Sequence, residues 1–187
     1  MMKFSAVVLF LACLAFPVHA TEWILDKSQS RLGFTATQDG APFTGGFRNF
    51  DARITFDPDQ PGKASARVTI DTKSFYTGTP DRDSVAATKE WFDVTQFPEA
   101  TFQSTSFSPT GDNGYMVEGK LTIRNISLPV KIPATITVDG DKAIAIGKLS
   151  LNRADFGIGQ GQWATGNPVS LTVEVNFTIN AVRAKGQ

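Results

Sequence analysis

Cysteine and histidine are nearly missing from this sequence of 187 residues, because each occurs once, as Cys13 and His19. Both lie in the first twenty residues, so the chain from Thr21 onward contains neither. Without them it can form no disulfide, no Ser-His-Asp or cysteine nucleophile, no zinc site of nitrogen and sulfur ligands and no histidine-bound haem. The sequence therefore predicts a protein without a cofactor or a metal.

An excess of charge of either sign is also missing. The sequence has 18 Lys and Arg residues against 18 Asp and Glu residues and contains no basic run, which argues against nucleic acid as a partner. The apolar run of residues 4–16 is too short for a helix to cross a bilayer, and no other apolar stretch reaches that length. We therefore expect no stable membrane insertion of the remaining chain.

The first twenty residues have the organisation of a secretory signal. Lys3 supplies the positive start, residues 4–16 form a short apolar run, and Val18 and Ala20 are small residues at the two recognition positions. This pattern predicts a signal peptide at residues 1–20, cleavage after Ala20 and a periplasmic protein.

A lipoprotein acylated at Cys13 is the alternative interpretation of the leader. Phe10-Leu11-Ala12 is a poor match to the residues that usually precede such a cysteine, and the apolar run continues beyond it. Cleavage after Ala20 is therefore the favoured prediction.

From Thr21 onward the dominant periodicity is two, which places alternate side chains on opposite faces of a strand. Turn residues such as Asp139-Gly140-Asp141 separate the runs, which favours antiparallel neighbours. With no linker or repeat, residues 21–187 are predicted to form one all-β domain of about eight strands, either a closed barrel or a sandwich. The alternating runs are residues 32–37, 50–56, 64–71, 100–107, 115–123, 130–138, 143–152 and 169–179.

One segment between Ser74 and Pro98 interrupts the alternation. Thr79 is a plausible N-cap and Pro80 suits the first helical position. These residues predict a short helical excursion around residues 79–91, in which the helix itself runs to about Lys89. A helix of this kind covers one end of a barrel. Trp91-Phe92 would then lie near that opening, either as a plug or as the wall of a pocket.

A glycine-rich segment over residues 152–163 follows the seventh alternating run. One interpretation is a rim loop in which Arg153 bonds to Asp155 or to nearby backbone. The other is a ligand entrance, edged by Phe156 and Trp163, with Arg153 available to a polar headgroup. The spacing of its glycines does not match a dinucleotide fingerprint.

Pairs of aspartates are the remaining catalytic candidates, because carboxylates can act as acid and base without histidine. All three pairs lie where aspartate is favoured for structural reasons, in turns or at a helix start. We therefore predict that the protein is not an enzyme. The pairs are Asp57 with Asp59, Asp81 with Asp83, and Asp139 with Asp141.

Aromatic residues are abundant beyond the leader, with twelve Phe, three Trp and two Tyr. A barrel of about eight strands is either filled by side chains or open to one small ligand. The predicted lining residues are aromatics at breaks in the strand pattern: Phe47, Trp91, Phe92, Phe156 and Trp163. The small residues expected to leave room inside are Ala36, Gly45, Ala52, Ala64, Ala66, Gly119 and Ala134.

Many short motifs follow one another in order across essentially all of residues 21–187. They are Trp23-Ile24-Leu25-Asp26, Gly46-Phe47, Ile54-Thr55-Phe56-Asp57-Pro58, Val68-Thr69-Ile70-Asp71, Thr79-Pro80-Asp81-Arg82-Asp83, Phe92-Asp93-Val94, Phe97-Pro98, Leu121-Thr122-Ile123, Leu128-Pro129-Val130, Asn152-Arg153 and Asp155-Phe156-Gly157. In these motifs and their order the chain resembles the YceI-like family of periplasmic proteins.

The resemblance implies a single extended antiparallel β-barrel, lipocalin-like in shape, that holds a polyisoprenoid or a similar long-chain amphiphile. It supplies no catalytic residues to transfer. A fatty acid or amide ligand is the alternative within the binding class, and a non-enzymatic partner of a membrane electron-transfer protein is the alternative outside it. A second copy of the chain, forming a homodimer, is a further candidate partner.

Overall fold

The computed structural model describes residues 21–185, so the predicted signal peptide lies outside the described part of the chain. Within that part, strands dominate, and one α-helix interrupts them. The strands are β1 (Glu22–Leu25), β2 (Arg31–Gln38), β3 (Ala41–Phe47), β4 (Phe50–Thr55), β5 (Ser65–Asp71), β6 (Phe75–Tyr76), β7 (Glu99–Gly111), β8 (Gly114–Ile123), β9 (Ile126–Asp139), β10 (Lys142–Asn152) and β11 (Thr172–Arg183), and the helix is α1 (Pro80–Ala86).

Eight strands close into an antiparallel barrel in the order β1, β4, β5, β7, β8, β9, β10 and β11, with β11 returning to β1. The other three strands extend the wall at one end. There β2 pairs with β11, β3 pairs with β2, and β6 pairs with β3. The predicted all-β barrel with one short helix is confirmed.

The wall has a gap between β6 and β7. β7 pairs with β5 and β8 but not with β6, so no ladder joins the extension to the rest of the barrel on this side. Residues 77–98 connect these two strands and span this side of the opening. The excursion that breaks the period-two pattern therefore has an architectural cause, because it replaces sheet where the wall is incomplete.

Side-chain hydrogen bonds fix the point at which the extension begins. The Ser74 hydroxyl accepts a hydrogen bond from the backbone N of Asn49 at 3.0 Å and donates to the carbonyl of Asp71 at 2.6 Å. Directly before β2, the Ser30 hydroxyl accepts a hydrogen bond from the backbone N of Asn180 on β11 at 2.9 Å. These buried hydroxyls satisfy backbone groups that the broken ladders leave without strand partners.

The helical excursion is shorter than the expected span to Lys89. α1 ends at Ala86, and Thr79 occupies the N-cap position without a side-chain capping bond. The Asp83 carboxylate instead accepts hydrogen bonds from the backbone N and the hydroxyl of Thr77, both at 2.7 Å. No helix within residues 21–185 has the length and apolar character required to span a bilayer.

Three strands were not predicted, and one was displaced. β1, β3 and β6 lie outside every predicted run, and the barrel closes through the short β1 rather than through β2. The last run was placed at residues 169–179, whereas β11 begins at Thr172 and extends to Arg183. Residues 169–171 belong instead to the loop that approaches β2, since Ser170 N donates to the Thr37 carbonyl.

Glycines in the wall allow neighbouring aromatic rings to approach the backbone closely. A Cβ added at Gly147 would come 2.5 Å from the Phe177 ring and 2.9 Å from the Pro133 carbonyl oxygen. A Cβ added at Gly45 would likewise come 2.5 Å from the Phe34 ring, and one added at Gly119 would come 2.5 Å from the Phe102 ring. The rings therefore occupy space that a side chain would otherwise fill.

We expect Gly147→Ala to lower the free energy of unfolding by about 1 to 3 kcal/mol, because the Phe177 ring must move off the wall. Urea denaturation measures this cost, with Gly62→Ala as the control, since a Cβ there meets nothing within 4 Å. In a Phe177→Leu background the cost should fall by at least about 0.5 kcal/mol. An equal cost in both backgrounds would show that the ring contact is not the cause.

Candidate functional site

The barrel interior is not filled by side chains. It contains a cavity of about 520 Å³ lined by the inward residues of the strands. Ala36, Ala52, Ala66 and Ala134 line it as expected, whereas Ala64, Gly45 and Gly119 do not. Rings cover these two glycines, as described above, and keep them from the lumen.

Bulky aromatic residues close the cavity at the end where the β9–β10 turn lies. The Trp23 indole N–H donates to the Phe56 carbonyl at 2.8 Å. The Phe56 ring packs against Phe107 at 6.0 Å and against Tyr115 at 5.2 Å between centroids. These side chains are buried, and three of them, Trp23, Phe56 and Phe107, line the cavity floor.

The two segments proposed as alternative mouths meet at the opposite end. The Glu90 carbonyl accepts hydrogen bonds from the backbone N of Gly159 at 2.7 Å and of Gln160 at 2.8 Å. The Arg124 guanidinium donates to the carbonyls of Lys89 and Trp91, which ties the β8–β9 turn to the same excursion. One continuous rim therefore replaces the two alternatives.

The cavity reaches solvent beside α1. Its exposed lining residues are Thr79, Asp81 and Val85, and all three belong to α1 or its N-cap. The other lining residues are buried or half-buried within residues 21–185. The mouth therefore lies at the helical excursion, while the floor lies at the aromatic residues of the closed end.

All five aromatics predicted from the sequence line the cavity. Phe47 packs edge-to-face on Phe92 at 5.7 Å, and Trp91 packs in the same way on Trp163 at 5.5 Å. Phe156 is 2% exposed and belongs to the hydrophobic core. Their contact with a ligand stays a prediction.

Nine lining aromatics of the described residues were not predicted, and three of them form one group, namely Phe34, Phe43 and Phe75. Phe75 stacks on Phe34 at 5.3 Å and contacts both Phe47 and Phe92. The five rings form one wall of the upper cavity, on the β2-β3-β6 extension and the excursion. Phe43 and Phe75 were missed because β3 and β6 were not recognised as strands, and Phe34 because it lies within a regular alternating run rather than at a break.

Arg153 is the buried cation of the site, with 3% exposure. Its guanidinium lies 4.9 Å from the Trp91 ring centroid, and burial lowers its pKa from the ordinary arginine value. It donates one hydrogen bond to each of five backbone carbonyls. The acceptors are Ser170 at 3.0 Å, Ile158 at 2.7 Å, Gly159 at 3.2 Å, Trp163 at 2.6 Å and Val169 at 2.7 Å.

These bonds use the full donor capacity of a guanidinium, which has five N–H groups. Arg153 therefore holds residues 158–170 in place over the barrel end and positions Trp163 against Trp91. Within the rim-loop interpretation, the geometry matches bonding of Arg153 to nearby backbone rather than to Asp155. The predicted contact between Arg153 and a headgroup stays untested, and it would require one of these bonds to break.

Arg82 is a second lining cation, which the sequence analysis did not select. Its Nε donates to Gln38 Oε1 at 3.2 Å, and its guanidinium lies 4.1 Å from the Phe43 ring centroid. Arg82 is half-buried at the mouth, beside exposed Asp81. Within residues 21–185, no group of three or more His, Cys, Asp or Glu side chains is arranged to hold a metal ion.

Comparison with known proteins gives a match to the YceI-like domain over residues 23–181. A UPF0312 protein of Pseudomonas syringae pv. tomato is 31% identical over 176 residues, which cover 89% of this chain and 88% of that protein. A UPF0312 protein of Pseudomonas fluorescens is also 31% identical, with 90% of each chain covered.

Solved structures show the same architecture. BcnA of Burkholderia cenocepacia superposes with a TM-score of 0.82 at 34% identity, covering 84% of this chain and 99% of that one. A polyisoprenoid binding domain from Saccharophagus degradans superposes with a TM-score of 0.70 at 18% identity, covering 89% and 100%. The second similarity shows the fold alone.

Proposed function

Because this chain belongs to the YceI-like domain family, and because its barrel encloses an apolar cavity, we propose that it binds a polyisoprenoid or a similar long-chain amphiphile. The ligand chain would lie along the barrel, with its tail towards Trp23 and Phe56. Its head would remain at the mouth beside α1.

The shape and chemistry of the cavity carry this proposal. An apolar lumen closed at one end and open at the other matches a molecule with one apolar and one polar end. Each buried methylene contributes about 0.8 kcal/mol, so one isoprene unit contributes roughly 3 to 4 kcal/mol before ordering costs. The volume of about 520 Å³ lies within the usual range for ligand pockets.

The Saccharophagus degradans neighbour, which shares this fold, is a polyisoprenoid binding domain, and this is consistent with the proposal. The open interior also favours ligand binding over the alternative of a partner protein for a membrane electron carrier. A barrel acting only through its outer surface has no need of a cavity, and a filled interior would have favoured that alternative.

We further propose a binding role rather than catalysis. The charged residues that line the cavity within residues 21–185 are Asp81, Arg82 and Arg153. Acid-base chemistry by carboxylates requires two such groups facing one reacting bond, and Asp81 is a single exposed carboxylate at the rim. Arg153 is already committed to backbone carbonyls.

Titration with prenyl alcohols of increasing length tests the binding function. Native mass spectrometry should show one molecule bound per chain, with affinity rising from farnesol to longer alcohols until the cavity is full. Saturated fatty acids and fatty amides of matched length serve as the comparison. Tighter binding of these would assign the ligand to the alternative class, and no uptake of any amphiphile would exclude the proposed function.

Export belongs to the same proposal, since a periplasmic carrier must leave the cytoplasm. We expect expression of the full chain in a bacterial host to yield a periplasmic protein that begins at Thr21. N-terminal sequencing of the periplasmic fraction checks this, with Ala20→Tyr as a cleavage-blocking control. Recovery of a chain acylated at Cys13 would contradict cleavage after Ala20.

A further inference from the structure

We propose that Arg82 and Gln38 form the headgroup subsite of the cavity and bind an acceptor oxygen at the polar end of the ligand. The inference rests on the proposed function and adds the chemistry of the head to it. Arg82 is half-buried at the mouth, between exposed Asp81 and the apolar lumen.

The Arg82 guanidinium is held on three sides. Its Nε donates to Gln38 Oε1 at 3.2 Å, and its Nη1 faces the Thr79 hydroxyl at 3.4 Å. The guanidinium carbon Cζ lies over the Phe43 ring, 4.1 Å from its centroid. Contacts from β2, β3 and the N-cap of α1 fix this side chain before a ligand arrives, which reduces the entropy lost on binding.

The cation is fixed without being neutralised. Arg82 forms no salt bridge within the part of the chain that the structure describes. Its Nη2 and the Gln38 Nε2 make no hydrogen bond there either, so two neighbouring donors remain for a ligand. A guanidinium and an amide with free N–H groups select an oxygen acceptor.

Arg153 provides the internal contrast. It is also a lining cation, but all five of its donors bond to backbone carbonyls. Of the two arginines, Arg82 is the one whose donors are available at the place where the cavity meets water. The Asp81 carboxylate on the same rim would repel a ligand head that carries more than one negative charge. The favoured head is therefore an alcohol, a carbonyl or a single carboxylate.

The test compares phytanol, phytanic acid and phytane, which share one branched chain and differ in the head. Each is delivered from cyclodextrin and its affinity is measured by native mass spectrometry. Arg82→Met removes the cation and keeps an unbranched stem over Phe43. Arg48→Met is the matched control, because Arg48 also lies over an aromatic ring, Tyr76 at 4.2 Å, but does not line the cavity.

We expect Arg82→Met to lower the affinity for phytanic acid by about ten- to a hundredfold, because a charge-assisted hydrogen bond is lost. The affinity for phytanol should fall by less. Phytane affinity should not change, which also shows that the variant is folded and its cavity intact. Arg48→Met should change none of the three affinities.

Two results would overturn the subsite. An equal loss of affinity for all three molecules in Arg82→Met would assign Arg82 a structural role. Loss of head-dependent affinity in Trp91→Phe, with Arg82→Met unaffected, would place the head at the buried Trp91 indole N–H, which has no hydrogen-bond partner within residues 21–185. Failure of the wild-type protein to bind even phytane would contradict the proposed function instead.

Discussion

Arg153→Met should lower the free energy of unfolding by about 3 to 5 kcal/mol. The substitution leaves five carbonyl oxygens without their donor, and each buried unsatisfied acceptor costs about 1 to 3 kcal/mol unless it finds water. Residues 158–170 would lose their common anchor. Urea denaturation of delipidated protein measures the effect, because a bound ligand would add stability of its own.

Arg153→Lys separates the shape of the guanidinium from its charge. Lysine keeps the charge but has three donors at one point, and so cannot reach carbonyls spread around a planar fork. Arg153→Lys should therefore also lower the free energy of unfolding, by at least about 2 kcal/mol. Arg53→Lys, at an exposed position on β4, is the matched control and should be neutral. Full stability of Arg153→Lys would show that charge alone suffices.

Ala145→Phe should reduce the affinity for long prenyl chains by at least about tenfold while changing stability by less than about 1.5 kcal/mol. Ala145 lines the cavity three residues beyond the start of β10, near the closed end. A phenyl ring there would occupy space that the ligand tail needs. The loss should be greater for solanesol than for farnesol, because the shorter chain ends before the block.

Ile146→Phe is the control for this experiment. Ile146 is the next residue on the same strand, but it points outward and is 53% exposed. A phenyl ring on the outer face should leave the affinities for farnesol and for solanesol unchanged. Equal loss for farnesol and solanesol in Ala145→Phe, or equal loss in both variants, would contradict a tail that extends towards the closed end.

The barrel was accessible from the sequence because its long strands have one apolar face and turn residues between them. β8, β9 and β10 follow their predicted runs closely. β3 was not accessible, because Pro42 and the pair Gly45-Gly46 are typical of loops. Its strand pairing depends on Phe34 covering Gly45 from the neighbouring strand, and this contact is set by the tertiary structure.

The site was predictable where aromatic residues coincide with breaks in the strand pattern, as at Trp91 and Trp163. It was not predictable where the decisive property is a partner distant in the chain. Arg153 was predicted either to bond within its loop or to meet a headgroup, and Arg82 was not selected, yet one saturates backbone carbonyls and the other rests on Phe43. A local pattern does not report which arginine keeps free donors, since that depends on loop contacts such as those made by Glu90.

We propose that this barrel holds one long-chain amphiphile in its lumen, and native mass spectrometry of the protein tests this proposal most directly. The protein is purified gently from its own host and sprayed without organic solvent. The predicted spectrum contains a species heavier than the bare chain by one isoprenoid-type lipid, which organic extraction removes and added prenyl alcohol restores. A bare chain in every preparation, which also takes up no amphiphile after extraction, would contradict the proposal.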